Sequence, residues 1–342
     1  MVSLECDYNN GACDPILRRL LETNHERLPG YGTDKYSESA KTKIRMACGC
    51  EAAEVEFMTG GTQTNAVVIS SLLRNHEGVV CASTGHIHVH EAGAIEYTGH
   101  KIISLPGVLG KLPADTLKNY LEQFHNDSSR EHMVWPGIVY ISYPTEYGTL
   151  YSKAEMTALS AICREYRIPL YLDGARLGYG LMSREADLTL PDIAKLCDVF
   201  YIGGTKVGAL CGEAIVFSGI EMPEHFTHFM KKHGALLAKG RLLGLQFDTL
   251  FTDDLYFRLG EHGIRMADGM KTILREHGLP FFLETPTNQQ FILMTDDQLV
   301  PFSRRVIYSF WERADAEHTV IRLATSWATT TEDLEALQAA LD

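Results

Sequence analysis

The chain has 342 residues, 45% of them hydrophobic and 22% charged, a near-average globular composition that excludes disorder, collagen and a small disulfide scaffold. With 44 Asp and Glu against 31 Lys and Arg the formal charge is −13, so the overall field opposes phosphate backbones and anionic lipid. Neither nucleic acid nor a membrane is an expected partner.

From the N-terminus, Met1 to Asn10 carries Glu5 and Asp7 and has no basic run leading into an apolar core, so no secretory signal is expected. No window approaches 18 uninterrupted apolar residues, which argues against a membrane span. Eight cysteines in such a chain read as reduced thiols, hence a cytoplasmic protein. Cys48 and Cys50 form a lone C-x-C with no second pair nearby, and no metal site is expected there.

Short apolar runs follow at Val55 to Met58, Val79 to Ala82, Ile102 to Leu105, Gly137 to Ser142, Pro169 to Leu172, Val199 to Ile202 and Ala214 to Phe217. They lack strict alternation, as strands covered on both faces do, and helix-like segments separate them. Ser152-Lys-Ala-Glu155 is a capping box in front of the periodic Met156, Leu159, Ile162 and Cys163. Alternating strands and helices predict an α/β fold with a large domain built on a mostly parallel sheet. After about Gly219 the pattern changes to a long helical stretch from Phe226 to Phe247, then strands near Phe281 to Leu283, Gln290 to Met294 and Val320 to Leu323. The expected division is an N-terminal segment, residues 1–30, packing with a small domain, a large domain at 31–220, and a smaller C-terminal α/β domain at 221–342.

In an open parallel sheet, ligands gather beyond the carboxyl ends of the strands. The residues there are Gly60-Gly61-Thr62, His86 and His88, Thr145-Glu146, Asp173 with Arg176, and Thr205-Lys206. The glycine turn opens a helix, whose N-terminus favours an anion or simply makes a turn. Asp173 ends a buried strand and needs a partner, for which Arg176 is the nearest cation. Lys206 emerges from an apolar strand, where it either snorkels to solvent or is desolvated, which would lower its pKa and suit Schiff-base chemistry. The 33 residues from Asp173 to Lys206 match one βαβ unit, so both are expected at one sheet edge. A carboxylate, a lysine and a phosphate turn are the three handles of pyridoxal phosphate. His86-Ile-His88-Val-His90 alternates as some metal ligands do on an extended segment, but alternation alone is the support and no catalytic metal is expected.

Three segments, Leu172-Asp-Gly-Ala-Arg176, Gly203-Gly-Thr-Lys-Val-Gly-Ala-Leu-Cys-Gly-Glu-Ala214 and Ile321-Arg-Leu-Ala-Thr-Ser-Trp327, resemble the threonine aldolase/aromatic amino acid β-eliminating lyase family. The similarity runs from Asp7-Tyr-Asn-Asn-Gly and Tyr31-Gly32 to Trp327. It implies the aspartate-aminotransferase-like fold of type I pyridoxal-phosphate enzymes, assembled as a homodimer or homotetramer with active sites at the subunit interface. It also implies a carbon–carbon lyase that cleaves L-threonine and L-allo-threonine to glycine and an aldehyde.

Position by position, the resemblance makes Lys206 the Schiff-base lysine and Asp173 the partner of the pyridine nitrogen. Gly61 and Thr62 become the phosphate turn, and His86 the ring-stacking candidate base. Arg176 lies near the cofactor and substrate, Arg322 grips the substrate carboxylate, and Tyr31 joins the substrate site. Lys239 and Arg241 supply basic groups to the phosphate, sometimes across the interface. Two segments depart from the common pattern. Asp7-Tyr8-Asn9-Asn10 stands where many members have Ser-Asp-Thr, and Tyr143-Pro144-Thr145-Glu146 where many have Asn-Thr-His-Asn, which makes Glu146 a second candidate base. The alternatives are a β-eliminating lyase or a phenylserine-type aldolase acting on a bulkier substrate. A cofactor-binding scaffold without turnover fits poorly with retention of Lys206 and Asp173. A nicotinamide enzyme lacks its G-x-G-x-x-G.

Overall fold

In the computed structural model, which describes all 342 residues, the chain begins with β1 (Val2–Ser3) and then lays down seven strands of one sheet. These are β2 (Glu54–Met58), β3 (Glu77–Ala82), β4 (Ile102–Leu105), β5 (Trp135–Ser142), β6 (Leu170–Asp173), β7 (Val199–Gly203) and β8 (Glu213–Phe217). Their spatial order is β2-β8-β7-β6-β5-β3-β4. The pairs from β7 through β6, β5 and β3 to β4 are parallel, and β8 runs antiparallel to both its neighbours. The expected α/β, mostly parallel architecture is therefore present, with one reversed strand that the apolar runs did not reveal.

Period-2 alternation explains the two-sided burial of this sheet. One face, through Val139, Ile141, Leu172, Phe200 and Val216, joins the largest core with Ile44 and Met156. The opposite face, through Tyr140, Tyr171, Tyr201, Ile215 and Phe217, packs under Val67, Val68 and Ile69 of the helix Gly61–Leu72. The predicted capping box is made: the Glu155 N–H donates to Ser152 Oγ at 3.2 Å, and the Ser152 N–H to Glu155 Oε2 at 2.7 Å.

The long helical stretch expected from Phe226 to Phe247 is instead two helices, Phe226–Lys232 and Arg241–Leu250. Gly234 at φ +68° turns the chain out of the first helix, and Gly240 abuts the backbone of Gly32, so a continuous helix does not form. Beyond the helix Leu255–Glu276, the remaining strands are β9 (Phe281–Leu283), β10 (Gln289–Thr295), β11 (Val306–Ile307), β12 (Ser309–Arg313) and β13 (His318–Ala324). Four of them form a sheet ordered β12-β13-β10-β9. A third core binds that sheet to Met266, Met270 and Leu274 and to Leu334 and Leu337 of the last helix. No helix is long and apolar enough to cross a membrane.

The first residues of the chain reach across to this C-terminal sheet. β1 pairs with β11 in parallel, and Val2 and Leu4 enter the third core. Three residues later the buried Asp7 takes a two-pronged grip from Arg176, Nε to Oδ2 at 2.7 Å and Nη2 to Oδ1 at 3.0 Å. Asn288 Nδ2 adds a third donor at 2.9 Å. Burial alone would raise the Asp7 carboxyl, but the charges of Arg176 and Lys206 and these hydrogen bonds outweigh it and hold it at about 2. A depressed carboxyl contributes stability above its unfolded value of 3.8 and loses it as pH falls toward 2. The contribution amounts to roughly 2 kcal/mol. In acid titrations followed by circular dichroism, Asp7→Asn is expected to be less stable at neutral pH and to show a shallower loss of stability across that window. A wild-type slope there would overturn the assignment.

Candidate active site

β6 and β7 leave the sheet side by side, and their exits touch. The Gly203 N–H donates to Gly174 O at 2.9 Å. A Cβ on Gly174 would stand 2.0 Å from Tyr201 O, and one on Gly203 2.3 Å from Ala175 O, so neither position accepts a side chain. This close approach brings the carboxylate that ends β6 and the lysine that follows β7 to one cavity of about 300 Å³, together with Gly61, Thr62 and His86.

Asp173 is 5% exposed, and the sheet register supplies its donors. Tyr140 lies opposite Tyr171, two residues before Asp173 and on the same face. The hydroxyls of Tyr140 and Tyr201 donate to Oδ2 and Oδ1 at 2.6 and 2.5 Å. Asn65 Nδ2 adds a bond to Oδ2 at 3.1 Å, and the Ala175 N–H one to Oδ1 at 3.0 Å. Burial pushes the Asp173 carboxyl up, but the nearby His86 charge and the two tyrosine hydroxyls overcome it, and the net shift is downward. The ion pair with Arg176 considered from sequence is not formed, because Arg176 is committed to Asp7.

The helix Gly61–Leu72 begins beside this carboxylate. Its N-cap is Gly60, which has no side chain to satisfy the first-turn N–H groups. Those donors and the helix dipole suit a phosphate. A Cβ on Gly61 would meet the Tyr201 hydroxyl at 3.0 Å, so a small residue keeps the turn close to the strand.

His86 opens a single helical turn, His86–Val89, so His86, His88 and His90 do not line one side of an extended segment as the alternation had suggested. Its Nδ1 lies 2.8 Å from Glu91 Oε1, and its backbone N–H donates to Glu146 Oε1 at 2.9 Å. Glu146 also accepts from the Ser142 hydroxyl at 2.6 Å. Burial and the Asp173 charge raise the Glu146 carboxyl against the lowering by Ser142.

Removal of Lys206 from bulk water lowers its amine, and the Arg176 charge lowers it further. Asp7, Asp173 and Glu213 pull the other way, and the balance falls at about 8. The Tyr8 ring faces the amine at 5.7 Å. Glu213 steadies the lysine loop by accepting from Thr205 Oγ1 at 2.8 Å and the Gly204 N–H at 3.1 Å.

A second cavity of about 490 Å³ adjoins the first and shares Tyr8, His86, Glu146, Arg176 and Lys206 with it. Arg322 enters this outer cavity from β13, with Nη1 bonded to Gln289 Oε1 at 3.0 Å and Nη2 to Ser309 Oγ at 3.1 Å. Its Nε is buried without a partner. Trp311 of β12 lies beneath the guanidinium at 5.7 Å and touches the Tyr147 ring at 5.3 Å.

Of the residues singled out from sequence, Lys206, Asp173, His86, Glu146, Gly61, Thr62, Arg176 and Arg322 line these two cavities. Tyr31 and Arg241 do not. Tyr31 is 52% exposed with Lys231 over its ring, and Arg241 bonds to Thr23 and to Glu26 O. Sequence reasoning missed Asn65, Glu91, Tyr140 and Tyr201. Asn65, four residues into the helix from Gly61, carried the clearest local signal, a buried amide on an otherwise apolar face.

Residues 18–297 match the family model described as Beta-eliminating lyase. The low specificity L-threonine aldolase of Pseudomonas sp. (strain NCIMB 10558) is 28% identical over 299 residues, which span 86% of this chain and 84% of that protein. The Leishmania major threonine aldolase structure covers 100% of both chains at 38% identity and a TM-score of 0.95. A Thermus thermophilus aspartate aminotransferase, only 13% identical, still covers 99% of this chain and 90% of its own at a TM-score of 0.71, a likeness of fold alone. With the fold, the Asp173 and Lys206 segments and the family match in agreement, the chain belongs to the threonine aldolase/β-eliminating lyase family.

Proposed function

We propose that the protein cleaves L-threonine and L-allo-threonine to glycine and acetaldehyde by scission of the Cα–Cβ bond, using pyridoxal phosphate held in the inner cavity. One observation carries the reading. A lysine amine lowered toward neutrality, a carboxylate kept ionised and an uncapped helix N-terminus surround a single cavity, and two arginines stand in the next one. The donor set fits the cofactor's aldehyde, ring nitrogen and phosphate in turn. When bound, the group supplies an electron sink for the charge that develops at the substrate's Cα.

The chain's own residues do the rest. Lys206 would hold the cofactor through its amine, which its surroundings lower to about 8. Asp173, ionised, keeps a proton on the ring nitrogen. The N–H groups of Gly61 and Thr62 hold the phosphate. Arg322 orients the substrate carboxylate, which offers its unpartnered Nε the acceptor it lacks, and so sets which bond at Cα is aligned for cleavage. Arg176, anchored by Asp7, keeps positive charge beside the same carboxylate. His86 takes the proton of the β-hydroxyl. Glu146 is the weaker candidate, since its Oε1 is engaged by Ser142 and the His86 backbone. We assign Tyr31 and Arg241, which do not line this chain's cleft, to the site of a neighbouring copy in a homodimer or homotetramer.

A second reading has its own observation. His90, Tyr147, Phe310 and Trp311 line the outer cavity, an aromatic wall suited to a β-substituent larger than methyl. It favours phenylserine-type substrates by the same bond scission.

Purified holoprotein is expected to show the yellow band of lysine-bound pyridoxal phosphate and to release glycine and acetaldehyde from threonine, with Lys206→Ala losing both. A colourless wild type that binds no added cofactor overturns the reading, and a coloured one that releases no aldehyde from threonine, allo-threonine or phenylserine favours β-elimination. Separately, His86→Ala is expected to lower kcat for threonine by about 10²- to 10⁴-fold, the usual worth of a general base. Unchanged turnover would move the role to Glu146.

A further inference from the structure

The environment of His86 contains a carboxylate that packing alone does not explain. Glu91 is 5% exposed, and its Oε2 is buried with no hydrogen-bond partner. An orphaned charged oxygen costs stability, so something other than folding keeps a glutamate here. Its Oε1 receives two contacts, His86 Nδ1 at 2.8 Å and Asn65 Nδ2 at 2.7 Å. The chain directs it there by turning back immediately afterwards: Ala92 and Gly93 both adopt left-handed backbone, at φ 51° and 77°. For alanine that conformation is strained, and such strain persists where the surroundings over-determine it.

Chemistry fixes the protons in this arrangement. An ionised carboxylate only accepts hydrogen bonds, so against one Nδ1 of His86 carries a hydrogen, and whenever the ring gives up its other proton the lone pair falls on Nε2. The same logic orients Asn65, whose Nδ2 faces both Glu91 Oε1 and Asp173 Oδ2 while its Oδ1 accepts from the Tyr171 hydroxyl at 2.8 Å. Asn65 thereby ties the carboxylate behind His86 to the carboxylate meant for the cofactor ring.

We propose that Glu91 is the positioning residue for His86: through Nδ1 it fixes the ring's tautomer and orientation so that Nε2 is the basic atom presented to the substrate, with Asn65 registering that ring against Asp173. Glu91 does not itself take the proton. The inference rests on His86 being the base in the aldol cleavage proposed above, and it extends that reading to the carboxylate bonded behind the ring. Glutamine at position 91 would keep the volume and remove the orphaned charge, but its amide can donate or accept and leaves the tautomer unset.

The test uses holoenzyme in wild-type, Glu91→Gln, His86→Asn and doubly substituted forms, with kcat and KM for L-threonine, thermal midpoints, and ring ¹⁵N shifts of histidine-labelled protein. Glu91→Gln is expected to lower kcat by about 10- to 100-fold, the usual range for a residue supporting a catalytic group, with KM within about twofold and the thermal midpoint not lowered. The double variant is expected to be no slower than His86→Asn alone, because Glu91 acts only through the ring. The His86 shifts should place the hydrogen on Nδ1 in wild type and show a tautomer mixture in Glu91→Gln. Full kcat in Glu91→Gln, losses that multiply in the double variant, or a wild-type hydrogen on Nε2 would each overturn the proposal, the last needing no variant at all. A wild type that cleaves no β-hydroxy amino acid overturns the aldolase reading and this assignment together, whereas an active wild type with any of those three results overturns this assignment alone.

Discussion

The cleft depends on keeping one carboxylate charged in a place from which water is largely removed. Asp173 ends a strand covered on both faces, where an ion without partners would take up a proton instead. Four donors prevent that, and two of them are tyrosine hydroxyls from the neighbouring strands β5 and β7. The sheet is thus more than a platform for loops. Because side chains alternate, slipping β5 or β7 by one residue would swing its tyrosine to the opposite face and strip the carboxylate of a donor. Register and ionisation state are one problem with one solution, and the rigid glycine contact between Gly174 and Gly203 keeps Lys206 within reach of it.

The rest of the cleft shows how an acidic chain gathers positive charge in one place. The excess of 13 negative charges is a property of the whole surface, whereas binding is decided over a few ångströms. Arg176 lowers the Lys206 amine and would repel it, yet Asp7 clamps that guanidinium and draws the amine's pKa back up. Arg322 stands over Trp311 with one nitrogen unspent. Each cation is placed by a neutral or oppositely charged partner, leaving only selected N–H groups for a ligand.

The parts of this arrangement legible in the sequence are those that local pattern encodes. Apolar runs marked the strands, and the residues after them marked Asp173, Lys206 and the Gly60-Gly61-Thr62 turn, because a strand end is a one-dimensional feature. Tyr140 and Tyr201 were invisible for the opposite reason: each reads as core until cross-strand register sets it against Asp173. Glu91 became meaningful only through a chain reversal at Ala92 and Gly93, which neither residue announces. The partner of Arg176 lies 169 residues away, so proximity in sequence pointed to Asp173 instead. The same applies to β12, whose Ser-Phe-Trp-Glu-Arg run has no alternation to betray a strand carrying Trp311. Tyr31 and Arg241 came from resemblance, and in this chain both lie outside the two cavities.

The pairing of β1 with β11 gives biosynthesis an unusual order. Polypeptides emerge from the ribosome N-terminus first and fold as they lengthen, but Val2 has no strand to join until Val306 has been made, and Asp7 waits for Asn288. Residues made this early relative to their partners are therefore among the last to find their places. A fusion placed just ahead of Val2 would join the chain only a few residues from Asp7 and its clamp on Arg176.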